Sequence, residues 1–344
     1  MPGRNGATVS LLTPISLPIA LDRQPETLDF HFPCTPIGKI KYPRAELTVM
    51  ARPFLKWAGG KRQLIPEIEA RLPADIDECT TYVEPFVGGG AVLFHLLETR
   101  SFDEVHISDL NPELVLCYRA LQADAQKVIG HLSRLVDAYP AEQDDRKVTF
   151  YGIRDEWNSK VGGTDALSED EIAERTARTL FLNKTCFNGL FRVNSKGKFN
   201  VPIGSYVNPS FPRADDLLDV QSALQGVTIH NAPFEECAEW GGERTFVYFA
   251  PPYRPLSKTS HFVSYSGDFN DHDQKRLAAL FCTLDGMGAQ LLLSNSDPKN
   301  TVPDDDFFDD LYSGFTIDRV HANRAINSNP DRRGAITELL VSNY

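Results

Sequence analysis

The stretch TYVEPFVGGGAVLFHLLE, residues 81–98, decides the fold class of this chain. Its first part, TYVEPF (81–86), predicts a short buried strand. The second part, VGGGAVLFHLLE (87–98), predicts a glycine turn that leads into a helix. Nucleotide-binding proteins share such a turn between a strand and a helix, but a plain tight turn explains it equally well.

The same alternation continues along the chain. PELVLCYRAL (112–121) predicts a helix, with Pro112 well placed in its first turn. The other predicted strands are EVHISDLN (104–111), RTFVYF (244–249), AQLLLSNSD (289–297) and AITELLVSNY (335–344), the last as a terminal edge strand. Strands that alternate with helices predict an α/β fold with a doubly wound, mostly parallel sheet.

In a sheet of this kind, ligands bind beyond the carboxyl ends of the strands. Four predicted strands end in polar or glycine-rich segments, which are EPFVGGG, SDLN, APPY and SNSD. We therefore expect these four segments to meet in one crevice.

Composition excludes several classes of protein. The 344 residues are 42% hydrophobic and 24% charged, which is ordinary for a globular protein. No apolar run is long enough to predict a transmembrane helix. The six cysteines are scattered without a C-x-x-C pair, which favours neither a zinc site nor a disulfide framework and indicates a reduced, cytoplasmic protein.

The charge is acidic overall but not everywhere. The net charge of −12 argues against nucleic-acid binding when it is taken globally. However, residues 175–214 contain no Asp or Glu. Their basic residues are Arg175, Arg178, Lys184, Arg192, Lys196, Lys198 and Arg213. A local basic surface that binds phosphates is one interpretation, and a chance gap in acidic residues is the other.

Three regions follow from these patterns. Residues 1–50 are broken by prolines, and they form either a flexible extension or an over-long gene start ahead of Met50, which we favour. Residues 124–214 begin with a mainly helical stretch in which Ser168 and Glu171 predict a capping box. Residues 51–123 and 215–344 carry the predicted sheet.

Two features of the crevice predict an adenosine-containing cofactor. Gly88, Gly89 and Gly90 allow a ligand to approach the backbone closely. Asp109, at the end of the second predicted strand, suits a ribose diol, and a cap to the following helix is the alternative role, with which ribose binding can coexist. The spacing alone does not separate NAD from S-adenosylmethionine.

The segment APPY (250–253) predicts a rigid loop at a strand end. Pro251 and Pro252 lock the backbone and remove two donors, and Tyr253 presents an aromatic ring. Such a loop suits an exocyclic amine, which needs acceptors, and a flipped base, which needs a flat face. In isolation, a proline-rich loop without catalytic function is the commoner explanation.

Taken in order, the motifs resemble the Dam family of DNA adenine-N6 methyltransferases, from about Arg52 to Tyr344. The matching segments are PFLKWAGGKRQLIPEI (53–68), VEPFVGGGAVLF (83–94), SDLNPEL (108–114), FNGLFRVNSKGKFNVPIGSY (187–206), APPY (250–253), HFVSYSGDFNDHDQKRLA (261–278) and RAINSNPDRRGAITELLVSNY (324–344). The resemblance implies a Rossmann-like class I methyltransferase fold. It also implies a DNA-recognition domain at 124–214, mainly helical and with a β-hairpin, inserted into a catalytic domain at 51–123 and 215–344.

The resemblance also implies roles for single residues. Those matching the family's S-adenosylmethionine site are Trp57, Lys61, Glu84, Phe86, Gly88, Gly90, Asp109 and Ala250. Those matching its catalytic loop are Ala250, Pro251, Pro252 and Tyr253, and those matching its contacts to double-stranded DNA are Phe187, Asn188, Leu190, Arg192, Pro202 and Tyr206. Hydrophobicity alone would also allow Phe187 and Leu190 to be core residues. No metal is implied, the product is S-adenosylhomocysteine, and a functionally paired restriction endonuclease is left open.

Two positions depart from the family pattern. Ala250 stands where the family has Asp, or sometimes Asn, so the acceptor for the adenine amino group is missing. We interpret Ala250 as an engineered inactivating substitution, with a natural pseudoenzyme as the alternative. Pro233, in NAPFEEC (231–237), stands where the family often has Asp or Ser near the cofactor adenine.

The sequence thus predicts a site-specific DNA adenine-N6 methyltransferase, acting at a GATC-like site and inactive or very weak in this form. A non-catalytic DNA-binding protein with the same fold is the alternative. An RNA or protein methyltransferase is a weaker one, because the recognition segment with Arg192 argues against it.

Overall fold

The computed structural model describes residues 50–161, 166–254, 269–323 and 335–344. The predictions for residues 1–49 therefore lie outside the described residues. So do parts of the matches at 261–278 and 324–344 and part of the loop before Ser168.

The described residues form a seven-stranded sheet. Its strands are β1 (Thr81–Glu84), β2 (Glu104–Ser108), β3 (Val227–His230), β4 (Thr245–Phe249), β5 (Gln290–Ser296), β6 (Thr316–Asn323) and β7 (Ala335–Ser342). Their order across the sheet is β3-β2-β1-β4-β5-β7-β6. The first five are mutually parallel, and β7 is antiparallel to both of its neighbours.

Helices cover both faces of this sheet. The α-helices are α1 (Ile65–Glu69), α2 (Ala91–Thr99), α3 (Pro112–Asp137), α4 (Gln143–Ser159), α5 (Glu169–Thr185), α6 (Ala214–Ala223), α7 (Asp271–Gly286) and α8 (Phe307–Leu311). Successive residues of β1 point to opposite faces. Tyr82 packs in the core that contains Leu93 of α2, whereas Val83 packs in the core that contains Phe281 of α7. The doubly wound α/β fold, consistent with a class I methyltransferase, is thereby confirmed.

The position of the last strand corrects the sequence analysis. We expected residues 335–344 to form an edge strand, but β7 lies between β5 and β6, and β6 is the edge. Leu339, Leu340 and Val341 of β7 are consecutive and buried, which requires cover on both faces. The sequence analysis missed β6, whose TIDRVHAN sequence is interrupted by charged residues, and it missed the four-residue β3.

The helix starts follow from their caps. Asn111 caps α3 by accepting hydrogen bonds from the backbone N–H groups of Glu113 and Leu114, at 3.0 and 3.2 Å, and Pro112 begins the helix. Ser168 and Glu171 form the predicted capping box at the start of α5. Helix α3 is broken at Asp124, whose backbone is extended, at the boundary predicted for the recognition domain.

The predicted recognition loop, residues 187–206, is less regular than a β-hairpin. Two isolated bridges, Cys186 with Ile203 and Val193 with Phe199, hold it together. Gly197 turns the chain between them with a left-handed φ of 71°. The predicted hairpin is therefore present as a loop with bridges and lacks extended strands.

The prediction of a basic surface over residues 175–214 is wrong at Arg175 and Arg178. Arg175 is buried, donates two hydrogen bonds to the Glu113 carboxylate at 2.9 and 2.6 Å, and lies over the Trp157 ring. Arg178 pairs with Glu156 of α4 and with Glu174, which lies four residues before it on the same helix. Carboxylates that precede residues 175–214 in the sequence neutralise these arginines, so a gap in acidic residues along the chain does not create a basic surface there.

Removing one partner of the buried pair is expected to destabilise the fold strongly. Arg175→Ala should lower the free energy of unfolding by about 3–5 kcal/mol, because it leaves the Glu113 carboxylate without a partner. Arg178→Ala is the matched control, since its partners are more exposed, and it should cost about 0–1 kcal/mol. Urea unfolding of both variants measures the difference, and equal small losses would contradict this account of Arg175.

Candidate active site

A cavity of about 1230 Å³ opens at the carboxyl ends of β1, β2 and β4. Every residue predicted for the cofactor site and the catalytic loop lines it. These residues are Trp57, Lys61, Glu84, Phe86, Gly88, Gly90, Asp109, Ala250, Pro251, Pro252 and Tyr253. The parallel strands bring together segments that are far apart in sequence, and the individual roles of these residues stay predictions.

The glycine turn forms one wall of the cavity and requires glycine for two reasons. Gly88 and Gly90 have left-handed φ angles of 49° and 75°. A Cβ atom at Gly90 would lie 2.5 Å from the Tyr118 hydroxyl oxygen and 2.9 Å from Cε2 of Phe94. The turn is therefore packed from behind, while its open side faces the cavity.

Asp109 places a carboxylate next to this turn. It accepts hydrogen bonds from the backbone N–H of Gly88 at 3.1 Å and of Asn111 at 2.9 Å. Burial raises the pKa of Asp109 to about 6, although these two bonds oppose the shift. The helix-cap alternative for Asp109 is wrong, because Asn111 caps α3.

A buried lysine and a buried glutamate, Lys61 and Glu84, also line the cavity. Burial lowers the pKa of Lys61 to about 8, opposed by the charges of Glu338 and Glu84. Burial raises the pKa of Glu84 to about 8, opposed by a 2.7 Å hydrogen bond from the Tyr82 hydroxyl and by the charge of Lys61. Such displaced pKa values in a cavity are typical of functional sites.

The loop after β4 is held from several directions. Tyr253 donates a 2.5 Å hydrogen bond from its hydroxyl to Glu338, and the Lys61 ammonium lies 4.3 Å from the centre of its ring. The Pro252 carbonyl accepts a hydrogen bond from Gln274 at 3.2 Å. Ala250 is only partly buried and contributes a methyl group to the cavity wall, where it offers no side-chain acceptor.

The family of the chain follows from comparison with known proteins. Residues 57–326 match the family model of D12 class N6 adenine-specific DNA methyltransferases. The chain belongs to this family.

Known DNA methyltransferases are similar in sequence to this chain over most of its length. The type II methyltransferase M.MjaIII of Methanocaldococcus jannaschii is 47% identical over 298 residues, which are 85% of this chain and 99% of that protein. A DNA adenine methylase of Vibrio cholerae is 35% identical over 292 residues, 84% of this chain and 95% of that protein. The DNA N-6-adenine-methyltransferase of Escherichia phage P1 is 33% identical over 294 residues, 84% of this chain and 35% of that protein. Membership confirms the resemblance to DNA adenine-N6 methyltransferases and implies S-adenosylmethionine as methyl donor.

The sequence analysis did not predict that three apolar residues, Leu110, Phe234 and Phe269, line the cavity. Leu110 is 53% exposed and lies beside Asp109, while Phe234 and Phe269 pack on Phe86, with ring centres 5.4 and 5.8 Å from it. Phe234 could have been found if β3, which precedes it, had been predicted. Together these residues form an apolar wall that suits the flat face of a base.

The residues predicted to contact DNA lie together on the recognition loop. Phe187 is 52% exposed and Asn188 has a left-handed φ of 55°, so Phe187 is not a core residue. Leu190, in contrast, is half-buried and packs against the core. The exposed Arg192 donates to the Asn200 side-chain oxygen at 2.7 Å.

Two further predicted contacts support the loop from its other end. The Pro202 carbonyl accepts a hydrogen bond from the Phe187 backbone at 2.8 Å. The Tyr206 hydroxyl accepts one from the Lys56 ammonium at 3.3 Å. The recognition loop is therefore anchored next to the segment that lines the cavity.

Two negative findings apply to the part of the chain that the structure describes. It contains no group of three or more His, Cys, Asp or Glu residues that could hold a metal ion. None of its helices is long and apolar enough to cross a membrane.

Ligand affinity at Asp109 is expected to depend on pH. A ligand hydroxyl that donates to Asp109 needs the ionised carboxylate, so a proton competes with the ligand below the pKa of about 6. The Kd of S-adenosylhomocysteine should therefore rise by about tenfold for each pH unit below that value. Calorimetry across this range tests it, with Asp109→Asn as a variant of weaker affinity that does not change with pH. Constant affinity in the unaltered chain would place the ligand hydroxyls elsewhere.

Proposed function

We propose that this chain binds S-adenosylmethionine and duplex DNA at a GATC-like site, and that Ala250 leaves it inactive or very weak as an adenine-N6 methyltransferase. The observation that carries the proposal is the position of the APPY loop. The loop follows strand β4 and lines the same cavity as the residues predicted for the cofactor site. Only the side-chain acceptor at position 250 is missing.

The cavity fits the proposed cofactor. The glycine turn lines the cavity and would lie against the methionine part, and the Asp109 carboxylate would accept from the ribose hydroxyls. Leu110 and Phe234 provide an apolar slot for the adenine, although Pro233 lacks the polar side chain that the family often has there. When bound, this cofactor supplies an electrophilic methyl group on a positively charged sulfur.

Glu84, Phe86, Trp57 and Lys61 would surround the methionine part. The carboxylate of Glu84 and the ring of Phe86 suit a sulfonium, because negative charge and aromatic faces both stabilise a cation. A positive charge nearby would also favour the ionised form of Glu84, whose pKa burial raises to about 8. Lys61 would meet the cofactor carboxylate.

The recognition loop would read the DNA. Arg192 is exposed and can donate two parallel hydrogen bonds to a guanine, the commonest specific contact in the major groove. Phe187, on a turn that Asn188 bends, would insert into the duplex beside the extruded adenine, with Leu190 behind it. Pro202 and Tyr206 would complete the contacts from the other end of the loop.

Several finer assignments belong to the same proposal. Residues 124–214 would form the recognition domain, and residues 51–123 with 215–344 the catalytic domain. A partner restriction endonuclease would fit a chain that resembles a type II methyltransferase. The second candidate, a DNA-binding protein without catalysis, is favoured by one observation, which is Ala250 itself.

The substitution Ala250→Asp is expected to switch on methyl transfer. The aspartate would accept from the amino group of a flipped adenine, while Pro251 and Pro252 hold the loop and Tyr253 stacks on the base. Restoring one such electrostatic contact should raise the rate by about 10²–10³. The assay uses labelled cofactor and GATC duplex, followed by mass spectrometry of the modified base.

The control for this experiment is Ala250→Leu, which adds bulk without an acceptor and should stay inactive. A revertant that transfers nothing to any duplex would favour the non-catalytic candidate, and methylcytosine as product would refute adenine specificity. Full activity of the unaltered chain would refute the proposed need for a carboxylate at position 250.

The substitution Arg192→Ala should weaken binding to the cognate duplex selectively. Losing a bidentate contact with guanine costs about 1–3 kcal/mol of discrimination, whereas binding to random duplex should change little. Lys198→Ala, on the other side of the same turn, is the control and should affect both duplexes alike. Fluorescence anisotropy measures both affinities, and equal losses for Arg192→Ala would place this arginine on a phosphate.

A further inference from the structure

One buried side chain ties the recognition loop to the segment that lines the cavity. Asn183, near the end of α5, is fully buried. Its side-chain oxygen accepts from the Lys56 backbone N–H at 2.8 Å, and its amide nitrogen donates to the carbonyl oxygens of Lys56 and Gly189, both at 2.9 Å. Three hydrogen bonds from one amide thus fix the main chain at Lys56 against the main chain of the recognition turn.

Lys56 and the next residue, Trp57, contact different parts of the protein. Lys56 contacts the recognition loop. Its ammonium reaches Tyr206, and a Cβ atom at Gly189 would lie only 2.3 Å from its Cδ. Trp57 contacts the glycine turn, because Cβ atoms at Gly88 and Gly89 would lie 3.1 and 3.3 Å from its atoms. Because Lys56 and Trp57 are consecutive, the loop that carries Gly189 and the glycine turn are connected through two adjacent residues.

We propose that Asn183 is the positioning residue through which DNA and cofactor strengthen each other's binding. This inference rests on the proposed function. DNA binding orders the turn that carries Phe187 and Gly189. The Asn183 amide, bonded to Gly189, then fixes the main chain at Lys56, and with it the position of Trp57 against the glycine turn. The cofactor then meets a site that is already arranged, and its apparent affinity rises because the competent conformation is more populated.

A buried amide with only a structural role would behave differently. Its loss would lower stability and weaken both ligands without changing how one affects the other. The informative quantity is therefore the ratio of Kd values for one ligand in the absence and presence of the other. By thermodynamic linkage this ratio is the same whichever ligand is measured.

The experiment uses the full chain with S-adenosylhomocysteine and a GATC duplex, so it needs no catalytic turnover. Calorimetry gives the Kd of S-adenosylhomocysteine with and without duplex, and anisotropy gives the reciprocal pair. We expect a ratio of about 5–150 in the unaltered chain. Asn183→Asp keeps the acceptor for the Lys56 N–H and removes both donors, so its ratio should fall close to one while each ligand still binds alone.

Asn158→Asp is a matched control. Asn158 of α4 accepts from the Phe199 backbone N–H at 2.7 Å and donates to the Phe199 carbonyl at 3.1 Å. Asn158 therefore also holds the backbone of the recognition loop through its side-chain amide, but it makes no hydrogen bond to Lys56. This variant should keep the ratio of the unaltered chain.

A second variant covers the case in which Asn183→Asp does not fold. Gly189→Ala places a methyl group against the stem of Lys56 and separates the same two segments from the other side, so it should also lower the ratio. A ratio near one in the unaltered chain, or an undiminished ratio in Asn183→Asp and Gly189→Ala, would overturn the inference. If S-adenosylhomocysteine or the duplex did not bind the unaltered chain at all, the proposed function would fail as well, which separates the two outcomes.

Discussion

The parallel hydrogen-bond pairing of β1 with β2 on one side and β4 on the other is the constraint on which the site depends. Tyr82 of β1 pairs with Val105 of β2 and with Phe246 of β4. Parallel strands end at the same edge of a sheet, so the glycine turn, Asp109 and the APPY loop emerge side by side. Each of the three segments closely follows its strand. Their convergence requires only that the three strands pair in this order.

The cavity formed in this way holds charges that burial disfavours. Lys61 and Glu84 both have pKa values displaced to about 8, and the pKa of Asp109 is raised to about 6. A packed core without ligands would gain stability by replacing such groups with apolar ones. A cationic, hydroxyl-bearing ligand would instead stabilise these carboxylates. Displaced pKa values of this kind in a cavity are typical of functional sites.

The inserted region is joined to the sheet by polar contacts as well as by apolar packing. Arg175 of α5 reaches Glu113 in the first turn of α3, directly after the Asp109 loop. Asn183, two turns further along α5, reaches Lys56. Directional bonds of this kind fix position as well as distance, since they fail when the partners shift by an ångström or two. Helix α5 is thus hydrogen-bonded to the first turn of α3 through Arg175, and to Lys56 and Gly189 through Asn183.

The sequence by itself determined the fold class and the family, and it predicted eleven of the residues that line the cavity. These depend on local patterns, in which a strand, a glycine turn and a helix follow one another within 18 residues, and on motifs whose order matches one family. The capping box at Ser168 and the start of α3 at Pro112 are local in the same sense, and both were predicted correctly.

Only the tertiary structure decided the place of β7 inside the sheet, the burial of Arg175 and the attachment of Asn183 to Lys56. Each depends on a partner far away in the sequence, separated for Asn183 and Lys56 by 127 positions. The sequence around a helical arginine is the same whether the arginine faces solvent or a buried carboxylate. Likewise, the sequence of a strand does not say whether the strand lies at the edge of the sheet or next to the edge strand, as β7 does. The energy that separates these alternatives comes from contacts that form only when the whole chain has folded.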